Sequence, residues 1–370
     1  MSREIKLLQP DFPSAPHWMP FLQESYDQHW FSNFGPNAAQ LAAEASAYLG
    51  LTRAATLVSS ATAGLTATLM ALGIRGRVAI PAFTFPATAS AVFQARCDVV
   101  AIDINAQTWE MCPKALRTAL KRQKIDAIIH VRSFGYCRDI SEIERIADEY
   151  SLPLIIDAAA AFGGRDPSDR PVGRSGIAEV FSLHATKPFS VGEGGIVVAS
   201  NDLIDAINKT INFALFGGKS ADIWGMNGKM SEVSAAIGRA ALRQLPSVIE
   251  YRQHMAQRYM DILSAESNLT LPCDIGRPAW QLFSLKLPDG SAGFVQEHMA
   301  AMGIQTRIYY APTINSRWAD KTETPNALNL SASMLALPMG RHITHNDQDF
   351  ICSSLIDAKR AFYADRDMDE

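Results

Sequence analysis

The chain has 370 residues, of which 48% are hydrophobic and 19% charged, so it is long enough for a large apolar core and for two domains. Its formal net charge of −4 argues against a basic surface for nucleic acid or an acidic membrane. The first residues lack the apolar core of a signal peptide, no apolar run could span a bilayer, and the dispersed cysteines indicate a reduced, cytoplasmic protein.

The N-terminal two thirds of the chain alternate short β-branched runs with helical patterns. Residues 1–35 are rich in aromatic residues and proline, and we expect them to pack across the domain that follows. Predicted strands cover 55–59, 77–80, 98–103, 126–131, 153–156, 178–182 and 196–199. Predicted helices cover 37–49, 62–72, 86–94, 113–122 and 141–150. This alternation indicates parallel βαβ units with helices on both faces of the sheet, and it places ligands at the carboxyl ends of the strands.

The pattern changes after residue 200. Predicted helices cover 203–215, 230–245, 247–265, 292–302 and 347–364, with a strand at 281–287. Pro246 is expected to open the helix at 247–265. We therefore divide the chain into a large domain, residues 1–245, and a smaller C-terminal α+β domain, residues 246–370.

One lysine stands in a turn-rich link between two buried strands. Lys187 follows the strand 178–182 and precedes glycines 192, 194 and 195, which permit close backbone approach. A lysine held at the end of a buried strand loses its proton more easily than a surface lysine, which is what an amine needs to form a Schiff base with a carbonyl. Taken alone, the pattern is more typical of a solvated loop lysine.

Three other strand ends carry suggestive residues. The segment 59–64 opens a helix, where backbone N–H groups with the hydroxyls of Ser60 and Thr62 could cradle a phosphate, or simply cap the helix. Asp157 ends an apolar strand, and its carboxylate needs a partner such as a pyridinium nitrogen or a structural hydrogen bond. Phe85 could stack on a planar ring or belong to the core. Together with Lys187, these features match the needs of pyridoxal phosphate.

The combined motifs resemble the DegT/DnrJ/StrS family of pyridoxal-phosphate sugar aminotransferases, of the aspartate aminotransferase fold type I. The resemblance covers nearly the whole chain. The motif around the lysine, which reads H-A-T-K at 184–187, is most similar to that of members that aminate C4 of nucleotide-linked 4-keto-6-deoxyhexoses. The matching segments are 31–36, 59–72, 81–91, 131–139, 157–163, 181–198, 225–232, 235–238 and 337–338. The implied fold is a three-layer α/β/α domain with a mostly parallel sheet, plus the smaller α+β domain.

The resemblance implies a role for particular residues. Lys187 is the Schiff-base lysine, Asp157 the partner of the pyridine nitrogen, and Phe85 the ring stacker. Asn227 corresponds to the residue that reaches the cofactor phosphate of the neighbouring subunit, which implies a homodimer with shared active sites. The implied cofactor contacts are Ser60, Ala61, Thr62, Ala63, Phe85, Asp157, Ser182, Lys187 and Asn227. The implied substrate contacts are Asn33, Phe34, His184, Lys229, Tyr309 and Tyr310.

The chain also departs from the family pattern near the site. Ala61 stands where the family usually has glycine, Ala160 where it has a glutamine near the cofactor ring, and Lys229 where it has arginine. A histidine common in the family has no counterpart in 310–314. The missing histidine would lie near the expected sugar pocket. It is open which group replaces the glutamine contact to the cofactor ring at Ala160.

The implied reaction moves an amino group from an amino acid, L-glutamate, to a dTDP-, UDP- or GDP-linked 4-keto-6-deoxyhexose in two half-reactions. Such enzymes serve aminosugar synthesis, including that of lipopolysaccharide O-antigen. Neither a metal, a nucleic acid nor a membrane is expected as a partner. Two alternatives stay open: a pyridoxamine-dependent sugar dehydratase, in which the lysine position is typically histidine, and a non-catalytic cofactor- or sugar-binding regulator.

Overall fold

The computed structural model describes residues 4–214, 225–318 and 322–366, and elements are numbered along the chain. The strands are β1 Ala54–Val58, β2 Arg77–Pro81, β3 Asp98–Ile102, β4 Ala127–Val131, β5 Leu154–Asp157, β6 Ala178–Ser182, β7 Gly195–Ala199, β8 Phe283–Lys286, β9 Arg307–Ile308 and β10 Met334–Leu337. The helices are α1 Ala15–Asp27, α2 Pro36–Tyr48, α3 Ala61–Ala71, α4 Pro86–Gln94, α5 Pro113–Arg122, α6 Ser141–Glu149, α7 Asn201–Ile211, α8 Glu232–Leu263, α9 Ala292–Ala301, α10 Ile314–Trp318, α11 Pro325–Ser333 and α12 His345–Arg366.

A seven-stranded sheet in the order β1-β7-β6-β5-β4-β2-β3 forms the centre of the molecule. The pairs from β6 through β5, β4 and β2 to β3 are parallel, whereas β7 runs antiparallel to both β6 and β1. The neighbouring strands β4, β5 and β6 therefore end at one edge of the sheet. This mostly parallel sheet confirms the predicted α/β class.

Helices cover both faces of the sheet, as expected for strands that are buried on both sides. One apolar layer joins the sheet to α2, α5, α6 and the first half of α8, and includes Leu41, Leu116, Ile146 and Leu245. The other joins it to α3, α4 and α7 through residues such as Leu65, Val92 and Ile207. The three-layer α/β/α arrangement is thus confirmed.

A second, three-stranded antiparallel sheet in the order β8-β10-β9 follows later in the chain. It shares an apolar core with the end of α8 and with α12, through residues such as Tyr259, Phe283 and Leu355. Phe83 and Phe134 from the first two thirds of the chain join the same core. We propose that the division near residue 245 separates two domains that share this contact.

The helix α8 corrects one prediction. Residues 230–245 and 247–265 were expected to form two helices separated by Pro246, but Glu232–Leu263 is one continuous helix with that proline inside it. Proline in a helix interior removes one backbone hydrogen bond. Leu245, Val248 and Ile249 on both sides of it are buried in the core, and this packing holds the helix together despite the proline.

The N-terminal segment forms a helix that the sequence reading did not predict. Residues 15–27 of α1 pack against α8, where the guanidinium groups of Arg239 and Arg243 both lie 4.4 Å from the ring centre of Phe21. Other aromatic residues of this segment remain exposed in the single chain, among them Trp30 and Phe31. The predicted helix 203–215 is seen as Asn201–Ile211, and residue 215 lies outside the described residues.

A buried carboxylate ties this segment to α2 and α8. Glu232 has no solvent exposure. Its Oε2 accepts hydrogen bonds from Asn37 N at 2.7 Å and Ser25 Oγ at 3.0 Å, and its Oε1 accepts one from Ala38 N at 3.0 Å. Because backbone N–H groups at the start of a helix lack partners within the helix, a carboxylate stabilises that end. Glu232 therefore joins three helices at one point.

Across residues 4–214, 225–318 and 322–366, every helix is too short or too polar to cross a membrane.

We expect Glu232→Ala to lower the free energy of unfolding by about 3 kcal/mol, because it leaves three buried donors without an acceptor. Glu232→Gln keeps one acceptor oxygen and should cost less. Glu297→Ala, at an exposed position of α9, is the control and should change stability by no more than about 0.5 kcal/mol. Urea denaturation measures all three. Equal stability of the Glu232→Ala and Glu297→Ala variants would contradict the role of this carboxylate.

Candidate active site

A cavity of about 270 Å³ lies where strands of the large sheet end. Asp157 and Ser182, at the ends of β5 and β6, line it together with the first residues of α3. The opposite wall comes from the later part of the chain, through Gln281, Leu282 and the segment around β9. The predicted site residues that line this cavity are Ser60, Ala61, Thr62, Phe85, Asp157, Ser182, His184, Lys187, Tyr309 and Tyr310.

Lys187 is presented by a loop that backbone hydrogen bonds hold in place. Leu183 N donates to Gly194 O, and Val191 N donates to Leu183 O, each at 2.9 Å. Lys187 N donates to His184 O, also at 2.9 Å. The loop joins two antiparallel strands, β6 and β7, so its ends are fixed by the sheet. The position of the lysine is therefore set by the fold.

The amine of Lys187 is enclosed although the residue as a whole keeps some exposure to solvent. Burial lowers the pKa of Lys187 to about 8, and the nearby Asp157 carboxylate opposes this shift only in part. The amine donates a hydrogen bond to Gln281 Oε1 at 2.8 Å. About a tenth of this amine is thus neutral and nucleophilic at pH 7, far more than of an ordinary lysine with a pKa of about 10.4.

Asp157 is 6% exposed and sits at the end of β5. Its Oδ2 accepts a hydrogen bond from Thr88 Oγ1 at 2.7 Å, and its Oδ1 accepts one from Ala159 N at 3.2 Å. Burial raises the pKa of Asp157, while these hydrogen bonds and the charge of Lys187 act in the other direction. The carboxylate is held in a fixed orientation and would gain stability from a cationic partner in the cavity.

The start of α3 forms a second polar region of the cavity. Ser60 is the N-cap residue, and its Oγ accepts a hydrogen bond from Ala63 N at 3.1 Å. The strand β7 passes so close that a Cβ on Gly195 would lie 2.8 Å from Ala61 N, which explains a glycine there. Ser182 adds a hydroxyl from the end of β6. A helix N-terminus flanked by hydroxyl groups is suited to an anion.

Aromatic side chains form a further wall of the cavity. The rings of Phe134 and Tyr310 are stacked with centres 5.6 Å apart, and Phe85 meets Tyr310 edge-on at 6.3 Å. Phe85 is 57% exposed, so it lies at the mouth and is not a core residue. Arg307, also exposed, lines the cavity with its guanidinium 5.8 Å from the ring centre of Tyr309.

Five predicted site residues do not line this cavity. Ala63 contributes its backbone N–H to the cap of α3 instead. Asn33 and Phe34 lie before α2, and Phe34 lines a separate cavity together with Lys229. The Nζ of Lys229 lies 4.6 Å from the ring centre of Phe213. Asn227 is exposed, although the adjacent Gly228 O accepts a hydrogen bond from Ser59 N at 2.7 Å.

Several residues of the site were not predicted from the sequence. Gln281 and Arg307 come from near the second sheet, and no local motif marks them. Thr88 was not predicted although it lies in the first turn of α4, three residues after the predicted Phe85; it does not line the cavity but donates a hydrogen bond to the carboxylate of Asp157. Ala160 also lines the cavity, and it provides only a methyl group there.

Comparison with known proteins gives a family match over most of the chain. The model of the DegT/DnrJ/EryC1/StrS aminotransferase family matches residues 17–356. The chain is 28% identical over 370 residues to a dTDP-4-amino-4,6-dideoxy-D-glucose transaminase from Shigella dysenteriae, covering 97% of this chain and 100% of that protein. It is 29% identical over 339 residues to the erythromycin biosynthesis sensory transduction protein EryC1 of Saccharopolyspora erythraea, covering 88% and 91% of the two chains.

A solved structure extends this similarity to the fold. The crystal structure of DesI in the presence of its TDP-sugar product superposes with a TM-score of 0.92 at 28% sequence identity. The match covers 100% of this chain and 97% of the other.

We expect the amine of Lys187 in the cofactor-free protein to react with an amine-selective acylating reagent along a pH curve with a midpoint near 8. Above that pH the amine is neutral and nucleophilic, and below it the protonated form does not react. The same lysine in the chain unfolded in urea should follow a curve centred near the ordinary value of about 10.4. Mass spectrometry of the Lys187 peptide measures both curves, and identical midpoints would show that burial does not lower this pKa.

Proposed function

The chain belongs to the DegT/DnrJ/EryC1/StrS aminotransferase family, and on that premise we propose that it is a pyridoxal 5′-phosphate-dependent aminotransferase acting on a nucleotide-linked keto-sugar. The observation that carries this proposal is the pairing, in one cavity, of an enclosed amine with a lowered pKa and a buried, hydrogen-bonded carboxylate. Amino-group transfer needs both groups, because one moves a proton at the reacting carbon and the other stabilises charge on the cofactor ring.

The residues of the cavity fit this cofactor. The amine of Lys187 suits an aldehyde, and the buried carboxylate of Asp157 suits a protonated ring nitrogen, whose positive charge would offset the burial that raises the pKa of this carboxyl. The helix start at Ser60 and Thr62 with the hydroxyl of Ser182 suits a phosphate. Phe85 at the mouth provides an apolar ring surface.

When bound, the cofactor supplies an aldehyde that takes up the amino group and a ring that withdraws electrons from the carbon being deprotonated. The chain's own residues provide the rest. Nζ of Lys187 accepts a proton as a base when it is neutral and returns it as an acid when it is charged. Asp157 holds a proton on the ring nitrogen, and Thr88 fixes the orientation of that carboxylate through its hydroxyl.

We propose a nucleotide-linked 4-keto-6-deoxyhexose as the acceptor and L-glutamate as the donor. The support is the similarity to the Shigella dysenteriae transaminase and to DesI with its TDP-sugar product. The aromatic wall of Phe134, Tyr309 and Tyr310 offers surfaces on which the apolar faces of a hexose can pack. The exposed Arg307 lines the same cavity and can pair with an anionic group of a substrate.

We further propose that two copies of the chain form a homodimer and share their active sites. Asn33, Phe34, Asn227 and Lys229 do not line the cavity of their own chain, which agrees with contacts made in a partner's site. Large apolar side chains are exposed in the single chain, and an interface between two copies would cover them. These side chains are Tyr26, Trp30, Phe31 and Phe213.

The test of the proposed function is incubation with pyridoxal 5′-phosphate, nitrogen-labelled L-glutamate and a panel of dTDP-, UDP- and GDP-linked 4-keto-6-deoxyhexoses. We expect mass spectrometry to show labelled nitrogen in one amino sugar nucleotide. Lys187→Ala should bind the nucleotide sugar but lower the rate at least about 1,000-fold, within the range lost with a general acid–base.

A wild-type protein that binds the cofactor but shows no spectral change with any amino donor would contradict this function. That result would favour a regulator on the same scaffold.

For the dimer, we expect analytical ultracentrifugation to show two copies per particle, with the cofactor tightening the association. Asn227→Ala should weaken cofactor affinity about tenfold, as loss of one hydrogen bond to a charged group would. Asn201→Ala, at an exposed position at the start of α7, is the matched control. A fully active monomer, or an Asn227→Ala variant that binds the cofactor as the control does, would contradict the shared site.

A further inference from the structure

Gln281 contacts the amine of Lys187 from the opposite wall of the cavity. Its Oε1 accepts a hydrogen bond from Lys187 Nζ at 2.8 Å, and its Nε2 lies 3.4 Å from Thr186 Oγ1. Only 8% of Gln281 is exposed to solvent. The residue stands two positions before β8, so it belongs to the part of the chain that builds the second sheet. No other hydrogen bond to the Lys187 side chain occurs in the described part of the chain.

The backbone at Gln281 is held by a buried guanidinium group that does not itself line the cavity. Arg252 of α8 is 1% exposed, and its Nη1 donates hydrogen bonds to Trp280 O at 3.1 Å and to Gln281 O at 3.3 Å. Its Nη2 pairs with Asp11 at 2.9 Å. A buried, paired guanidinium of this kind gives its partners a fixed geometry. The amide of Gln281 is thus placed against Lys187 by the fold itself.

We propose that Gln281 is a positioning residue that holds the free amine of Lys187 between proton transfers and accepts its hydrogen bond in both protonation states. This proposal rests on the proposed function. An amide oxygen accepts from –NH₃⁺ and from –NH₂ alike, and it carries no net charge. The amine can therefore take a proton from the reacting carbon and give it back while remaining at one place.

The uncharged character of the amide is the essential feature. A carboxylate at the same position would stabilise –NH₃⁺ and oppose the loss of its proton. Asp157 is the charged group that already acts on this amine, and its effect only partly offsets that of burial. The hydroxyl of Thr186 lies 2.9 Å from Nδ1 of His184, whose Nε2 lies 3.6 Å from the carboxylate of Glu193. The charged side chains of Arg132, Glu193 and Arg307 line the same cavity. Among the described residues, the hydrogen bond from this amine goes to Gln281.

Two variants separate this role from simple packing. Gln281→Met keeps the length of the side chain and removes the acceptor, whereas Gln281→Glu keeps the acceptor and adds a negative charge. Gln253→Met is the matched control, because Gln253 Nε2 donates to Pro278 O and the residue does not line the cavity. Melting temperatures of all three variants establish that they fold.

The first measurement is the pH curve for acylation of Lys187 in the cofactor-free variants. Gln281→Glu should move the midpoint up by about 1 to 3 pH units, since an opposite charge close by favours –NH₃⁺. Gln281→Met should move it down, because the buried ammonium loses its hydrogen-bond acceptor. Gln253→Met should leave the midpoint at the wild-type value.

The second measurement is the rate of the spectral change when L-glutamate is added to the cofactor-loaded variants. We expect Gln281→Met to be at least about tenfold slower at every pH, a smaller effect than the roughly 100- to 10,000-fold contribution of a general acid–base, because Gln281 acts through Lys187. Gln281→Glu should be slow at neutral pH and recover at higher pH.

Wild-type midpoints and wild-type rates in both Gln281 variants would overturn the proposal, as would a lowered melting temperature without any change in either curve. Failure of the proposed function has a different signature, because the wild-type protein itself would then not respond to glutamate.

Discussion

Burial of an amine and a carboxylate in one cavity is the constraint on which the rest of the site depends. Water would stabilise both charges, so the enclosed cavity lowers the pKa of Lys187 and raises that of Asp157. Each group then needs protein partners, which Gln281 supplies to the amine and Thr88 with Ala159 to the carboxylate. Burial destabilises the ammonium form of Lys187, so the amine loses its proton more easily. An amine that is easily deprotonated can act as nucleophile and base.

The fold meets this constraint by bringing rigid elements to one point. Asp157 and Ser182 end adjacent parallel strands, and the loop with Lys187 is fixed between two antiparallel strands. The start of α3 approaches the same place because a glycine in β7 permits close contact. The second sheet then closes the cavity from the opposite side. Side chains placed at strand ends and helix starts are held more precisely than side chains on free loops.

Residues close to a strand end were predictable from the sequence, whereas contacts between distant parts of the chain were not. Asp157 and Lys187 follow from buried apolar runs bounded by turn residues, and the run 178–182 matches β6. Gln281 could not be found in this way, because it lies 94 residues from Lys187 and only the packing of the second sheet brings it close. The continuous helix α8 was missed because the local preference of Pro246 was given more weight than its packing.

The most direct test of the central claim is to map where pyridoxal 5′-phosphate attaches to the protein. Borohydride reduction of the loaded protein, followed by proteolysis and mass spectrometry, records the attachment as a stable phosphopyridoxyl group. We expect one modified peptide, the one that contains Lys187, and no stoichiometric modification in Lys187→Ala. A phosphopyridoxyl group at another lysine, with Lys187 left free, would contradict it.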